Sequence, residues 1–453
     1  MAVDEDQALD TERLHGSEQV AYLAMTGTNS SLTFTGVTST PQVVGGTATF
    51  VANAQGPGPL LYSWNFGAGD TPYSADNTAS FDFTSPGRHV VTLKILDANG
   101  ALVLVNFVQL VHLPLTPNQP NTSTGLVEYA SRGEIWNVNP DNDSVTVIDA
   151  GMQSVIAEIP VPDEPRSIAI APDGRVWVTN KGASSIAIID PASFSVAQFA
   201  FFEVGAQPHG LAMGSGSAYV ALEATGEIVQ LDAFTGTEIQ RAAVGSAPRH
   251  VVLDGNESAL YVSLFITPPL PNEASAAPTV DDGISTYGGQ VKVLDPMTLG
   301  SVDSITLQHS DRLVSEHSGP GVPNYLGPAT ISPDGTSAWV ASKQDNILAG
   351  ALRGGQGMTF DQTVRAISSR IDLPARTENF AMRVDHDNAS VGSYAAMGPY
   401  GIHLFTALEG NREIAVTDIH SGVEIFRFDV GRAPQSIVVS PDGSRLYVHN
   451  FMD

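Results

Sequence analysis

The chain of 453 residues contains no cysteine. That excludes disulfides, zinc–thiolate sites, covalent c-type haem and thiol nucleophiles together, while leaving the compartment open. Basic residues are scarce: 21 Lys and Arg stand against 48 Asp and Glu, a formal charge of −27. Such a surface repels polyphosphate and anionic lipid, so nucleic acid is not an expected partner. No apolar run approaches the roughly 18 residues of a membrane span, and no transmembrane segment is expected. The opening MAVDEDQALDTERLHG lacks the basic and then apolar order of an export signal, so any such signal is expected to have been removed. Also missing are the GxSxG elbow, the P-loop, the dinucleotide fingerprint and HExxH, which leaves standard hydrolase and nucleotide chemistries without support.

What is plentiful is turn-forming residues. With 43 Gly, 29 Pro and 15% charged residues, the composition suits many short strands joined by tight turns, and an all-β fold is expected. Residues 1–29 show no sustained periodicity and are read as an N-terminal extension. Across 30–113, the runs SLTFTGV, TATFVANA, LLYSWNF, ASFDF, HVVTLKIL and ALVLVNFVQLVHL alternate apolar and polar residues between Gly, Pro, Asn and Asp clusters, as the strands of a sandwich do. The segments YSWNFGAGDTPYS and FTSPGRHVVTLKILDANG resemble the PKD domain, an immunoglobulin-like module of secreted and cell-surface proteins. The resemblance implies Trp64 as the core tryptophan, Gly67 and Gly69 in the turn after its strand, and a role as spacer or adhesive module. Asn65 and Ala68 stand where Asp is common, so calcium is not expected at that turn. Residues 114–125, LPLTPNQPNTSTG with the preceding Leu113, read as a Pro-rich, semi-extended linker.

Beyond the linker one pattern recurs: a proline, an apolar strand, a PDG-like turn, a strand around an aromatic residue, and an alternating strand closing in Asp. The aromatic anchors are Trp136, Trp177, Tyr219, Tyr261, Trp339, Phe405 and Tyr447, spaced by 41, 42, 42, 78, 66 and 42 residues. A period near 42 is that of a four-stranded propeller blade. The copies PRSIAIAPDGRVWVTNKGASSIAIID and PQSIVVSPDGSRLYVHN closely resemble YVTN-family β-propeller repeats. Residues 126–453 are accordingly expected to form a seven-bladed propeller, in a secreted, periplasmic or cell-surface setting. The seventh copy stops after its second strand. The chain is therefore expected to continue past Asp453, finishing that blade and leading to a cytochrome-like domain or partner.

Strand order places all PDG turns on one face and the loops after second and fourth strands on the other. Three segments exceed the repeat, at about 265–289, 308–326 and 374–392, and all are expected on the loop face, which is therefore the expected binding face. Histidines map there too: His209, His250, His317, His386 and His449. Neutral imidazoles converging from several blades suit copper, zinc or iron. The arrangement resembles the copper-binding tops of propeller enzymes such as nitrous oxide reductase and thiocyanate dehydrogenase, in architecture and without a ligand motif. Arg166, Lys181, Arg249, Glu316 and Lys343 are candidate ligand-binding residues. Asp385 and Asp387, at alternate positions, are candidate calcium ligands, although the twelve-residue calcium-loop pattern is missing. The leading expectation is a recognition or scaffold protein whose propeller top binds a protein, glycan or small molecule. The alternative is a copper- or haem-linked oxidoreductase.

Overall fold

The computed structural model describes the backbone at 24–26 and residues 32–275, 277–279, 286–315, 317–349 and 363–453. Two compact units divide the chain, Met1–His112 and Leu113–Asp453. Among the described residues the complete regular elements of both are strands, except for short 3-10 turns.

The first unit is a sandwich of two sheets. Thr47–Gln55 buries alternate residues, the period-2 signature of a strand with one face on a core. Phe50, Trp64, Val91, Leu93 and Ile95 fill that core. Ala24–Thr26 pairs antiparallel with 102–104 at the sheet edge, so part of the expected N-terminal extension belongs to the sandwich.

Seven sheets make up the described part of the second unit. The first, second, third and sixth are four-stranded antiparallel meanders over 126–160, 165–201, 208–243 and 392–429. Side chains from neighbouring sheets share each core: Trp177, Ile186 and Ile188 of the second pack with Leu211, Val220 and Val229 of the third. The seventh sheet has two strands, Pro434–Val439 and Leu446–Asn450, and it closes the ring. Val438 and Tyr447 pack on Leu126, Ile135 and Ala150 of the first sheet, while Gly125 N–H donates to Ser436 Oγ at 2.8 Å.

Residues 116–125, read from sequence as linker, run along the axis of this ring. Thr116 N–H donates to Pro333 O at 2.8 Å, Ser123 N–H to Val251 O at 2.9 Å, and Thr124 O accepts from Ile168 N–H at 2.9 Å. Asn121–Thr122 pairs as an extra strand with Leu253 and Val252, and Asn121 Oδ1 accepts from Met213 N–H at 2.7 Å. Thr124 also bonds the Tyr394 hydroxyl, and Gly125 O accepts from Val138 N–H at 3.0 Å. One short segment thereby bonds groups of every sheet, most of them on inner strands, which is why its backbone can be buried at all.

The fifth sheet departs from the sequence expectation. The segment 308–326 is a hairpin, Ser310–Ser315 with Ser318–Asn324, whose second arm pairs with the end of Ser337–Asp345. Residues 374–392, expected as a loop after a fourth strand, contain that strand. It is broken into Thr377–Glu378 and Val384–His386, both paired with Val364–Asp372. The interruption is the 3-10 turn Phe380–Met382, after which Arg383 turns inward onto Glu378, both side chains fully buried at 2.6 Å. Pieces of two and three residues are too short to show alternation.

Candidate functional site

The mouth of the ring is built by a repeated backbone device. Glu164, Gln207, Ala247 and Ala433 hold left-handed φ of 59°, 56°, 53° and 53°, each directly before the proline that opens an inner strand. Their carbonyls accept from the N–H of Lys181, Glu223, Phe265 and Phe451, at 2.8 to 3.0 Å, just past the second strand of the same sheet. Each sheet so presents two side chains at fixed places, one after the proline and one after the second strand. The variable residues there differ from sheet to sheet: Arg166, His209, Arg249 and Gln435 in the first place, Lys181, Glu223, Phe265 and Phe451 in the second.

These places surround a cavity of about 310 Å³. Its lining includes Ser123, Thr124 and Gly125 of the axial segment, Arg166, His209, Arg249, His250, Phe265, Tyr325, Glu409, Gln435, Ser436 and His449. Five of the sequence candidates therefore meet in one hollow.

The three imidazoles are held neutral. His209 and His250 touch edge to face with centroids 5.3 Å apart. That approach depends on Gly210, where a Cβ would lie 2.3 Å from Arg249 O and 3.0 Å from His250 Cα. Burial, then the Arg249 charge, pushes His250 down to about 3. The same causes, with His250, Arg166 and Lys181 adding, hold His209 well below the ordinary histidine range. Burial and then Arg166 push His449 down to about 4. His449 Nδ1 lies 2.6 Å from Asn137 Oδ1. The Asn137 amide nitrogen itself donates to Val138 O and Asn139 Oδ1, both at 3.0 Å, so its oxygen is the acceptor. A neutral His449 then carries its proton on Nδ1 and a lone pair on Nε2.

The guanidiniums are clamped by carboxylates that sequence reading did not single out. Arg249 makes a two-point contact with Glu223, Nη2 to Oε1 at 2.7 Å and Nε to Oε2 at 3.2 Å. Lys181 reaches the same carboxylate at 3.2 Å. Arg166 is paired with Glu164, its Nε 3.1 Å from Oε1. Arg249 also lies over the Phe265 ring, 3.1 Å from its centroid. Phe265 stacks on Tyr325 at 4.5 Å, and Lys343, paired with Asp345 at 3.1 Å, covers Tyr325 at 3.9 Å. A cation–ring–ring–cation column thus joins two of the long segments at the rim. Burial pushes Glu409 upward, opposed by the Gln435 bond and the Arg249 charge. The signal for Glu223, Glu409 and Phe265 was available, since they occupy the same repeat offset as Lys181.

The remaining candidates lie elsewhere. His317 is exposed at the tip of the 310–324 hairpin, and Glu316 lies outside the described residues. His386 is fully buried at the outer side of the fifth sheet, with Nδ1 2.7 Å from Glu424 Oε2 and Nε2 2.9 Å from Ser368 Oγ. That order of groups is the order of a serine triad. Ser368 is itself fully buried and shares a bond of 3.0 Å with Thr406, so the cluster ties strands together. Burial raises the Asp385 carboxyl against the charges of Arg383, Arg365 and Arg312. Positive charge for it is already supplied by arginines. Asp387, half-buried, accepts from Asn388 at 3.0 Å. Among the described residues no group of three His, Asp or Glu is arranged to hold a metal ion.

With this geometry in view, comparisons identify the first unit. Residues 31–109 match the PKD domain family. In the PKD domain the turn after Trp64 is closed by Asn65, whose Oδ1 accepts from Gly67 N–H at 2.8 Å and Gly69 N–H at 3.3 Å. Lys94 supplies the charge opposite Asp70 in the same turn. No curated protein sequence matches the chain. Among solved structures, hydrazine synthase of Kuenenia stuttgartiensis aligns over 75% of this chain and 94% of its own, at 18% identity and a TM-score of 0.56. A Streptogramin B lyase aligns over 74% and 92%, at 14% identity and 0.49. The β-propeller domain of Myceliophteria thermophila Cps50 (Swd1) aligns over 73% and 95%, at 12% identity and 0.46. At this level the likeness is one of fold: the second unit is a β-propeller.

Proposed function

We propose that this is an extracytoplasmic binding protein whose propeller, read as seven YVTN-type blades, takes a small ligand in the axial pocket of its loop face. One observation carries the reading. Side chains from several sheets, each placed by the same backbone device, converge on a single cavity lined by His209, His250, His449, Arg166 and Arg249. A volume of about 310 Å³ sits at the low end of small-molecule sites, ~300–1,000 Å³, and favours a small molecule over a protein or glycan surface. The PKD domain fits a spacer or adhesive role, and among the described residues no helix is long and apolar enough to span a membrane.

The copper- or haem-linked oxidoreductase remains the second reading, supported by the His209–His250 pair at 5.3 Å. Metal analysis and an absorption spectrum of the purified protein separate the two. The test of the binding reading is a small-molecule panel against protein labelled with ¹⁵N-histidine. Binding in the pocket shifts the His209, His250 and His449 ring signals and leaves those of His89 and His112 in place. Ligands that move only the latter pair, or none that move the former, overturn the reading.

A further inference from the structure

Resting on that pocket reading, the geometry points to a ligand class: we propose that the cavity takes a small organic monocarboxylate that also carries a hydroxyl group.

The carboxylate is argued from charge and valence. Lys181 and Arg249 converge on the single carboxylate of Glu223, so two cations share one anion, and the carboxyl that lines the cavity, Glu409, is pushed by burial toward its neutral form against the Gln435 bond and the Arg249 charge. The neutral imidazoles beside this cluster cannot add to or offset its charge. In a chain of formal charge −27, a surplus cation in a hollow is a local inversion of the overall field, and low-dielectric walls focus it. Donors are also available. Arg166 and Arg249 spend Nε and Nη2 on Glu164 and Glu223, and among the described residues the Nη1 of each has no protein partner. The clamping glutamates fix the planes of both guanidiniums, so little rotamer freedom is lost when an anion arrives.

The hydroxyl is argued from the opposite need. His449 is 6% exposed and lines the cavity, yet among the described residues its side chain makes one hydrogen bond, at Nδ1 to Asn137. Its Nε2 is a lone pair without a donor, and a ligand O–H supplies one. Phe265, Tyr325 and Leu326 furnish the apolar wall for the body of the molecule.

The experiment is titration calorimetry of the full chain with 4-hydroxybenzoate, 3-hydroxybenzoate, benzoate and 4-hydroxybenzamide, with the histidine ring signals followed in parallel. One of the hydroxybenzoates is expected to bind at least tenfold more tightly than the amide and several-fold more tightly than benzoate. Arg249→Gln, and separately Arg166→Gln in case the first disturbs folding, should erase the preference for acid over amide. His449→Gln should reduce the preference for hydroxybenzoate over benzoate. If the amide shifts the pocket histidines and binds as well as the acids, the carboxylate inference falls while the pocket stands. If benzoate equals both hydroxybenzoates, the hydroxyl inference falls. If none of the four shifts these histidines but other small molecules do, the ligand class is overturned alone. If no small molecule shifts them, the pocket reading falls with it.

Discussion

Replacing His449 by Gln should make the propeller less stable at neutral pH and more stable in acid. The side chain is 6% exposed and burial holds it near 4, against about 6.5 in an unfolded chain. A histidine depressed in this way favours the folded state fully above pH 6.5, where both states are neutral. The contribution is lost as pH falls from 6.5 toward 4, because the unfolded chain takes up the proton first. At pH 5 those two values give a loss of about 2 kcal/mol relative to pH 7.5. Gln keeps an N–H donor for Asn137 but does not titrate, so it forfeits on the order of 1 kcal/mol of packing and hydrogen bonding at pH 7.5 and none of the acid term. The stabilities of the two proteins should therefore cross between pH 7.5 and 5. Urea unfolding followed by tryptophan fluorescence reads this well, since Trp136, Trp177 and Trp339 are fully buried in the ring. Carboxylate titration affects both proteins alike and cancels in the difference. Parallel stability curves at the two pH values would show that His449 is protonated in the folded state, and the fixed tautomer that supplies the Nε2 acceptor would be refuted.

Three further outcomes are expected. Gly210→Ala places a methyl 2.3 Å from Arg249 O and should cost about 1–3 kcal/mol by overpacking; an unchanged melting temperature would mean that the close approach of those two strands is not needed. Arg383→Met leaves Glu378 charged and fully buried and should cost about 3–5 kcal/mol, with Glu378→Leu added on the same chain restoring much of it; equal single- and double-variant stabilities would contradict the pairing. Ser368→Ala should cost about 1 kcal/mol and leave hydrolysis of a p-nitrophenyl ester unchanged, since the serine is fully buried; an ester activity abolished by this change would make the Ser368–His386–Glu424 cluster catalytic.

Local order was what the sequence exposed. The apolar run around Trp177 in VWVTN reports a strand buried on both faces, and repetition of such a run at intervals near 42 reports a blade. The pocket candidates His209, His250, Arg166 and Arg249 were found because they follow recurring prolines. What stayed hidden depends on partners far along the chain. Nothing near Asn121 signals that it will pair with Leu253, and nothing near Arg383 signals that Glu378 will be buried with it. Glu223 shares the repeat offset of Lys181, but its role as the clamp appears only when the fold brings Lys181 and Arg249 to it from two different sheets. The broken outer strand of the fifth sheet was missed because a buried ion pair, and not an alternating apolar face, holds it in place.

The axial segment has a kinetic consequence. Its bonds join residues 217 apart at Thr116 and Pro333, 128 apart at Ser123 and Val251, and 311 apart at Gly125 and Ser436. Contacts of such high order form late and slow folding, because loop-closure entropy is spent before the contact rewards it. Residues that precede every sheet of the ring in synthesis therefore complete their bonds, to Pro333 and Ser436 in particular, only when the later sheets are made and the ring shuts. The floor of the binding pocket is among the earliest parts of the propeller to be synthesised and among the latest to become ordered.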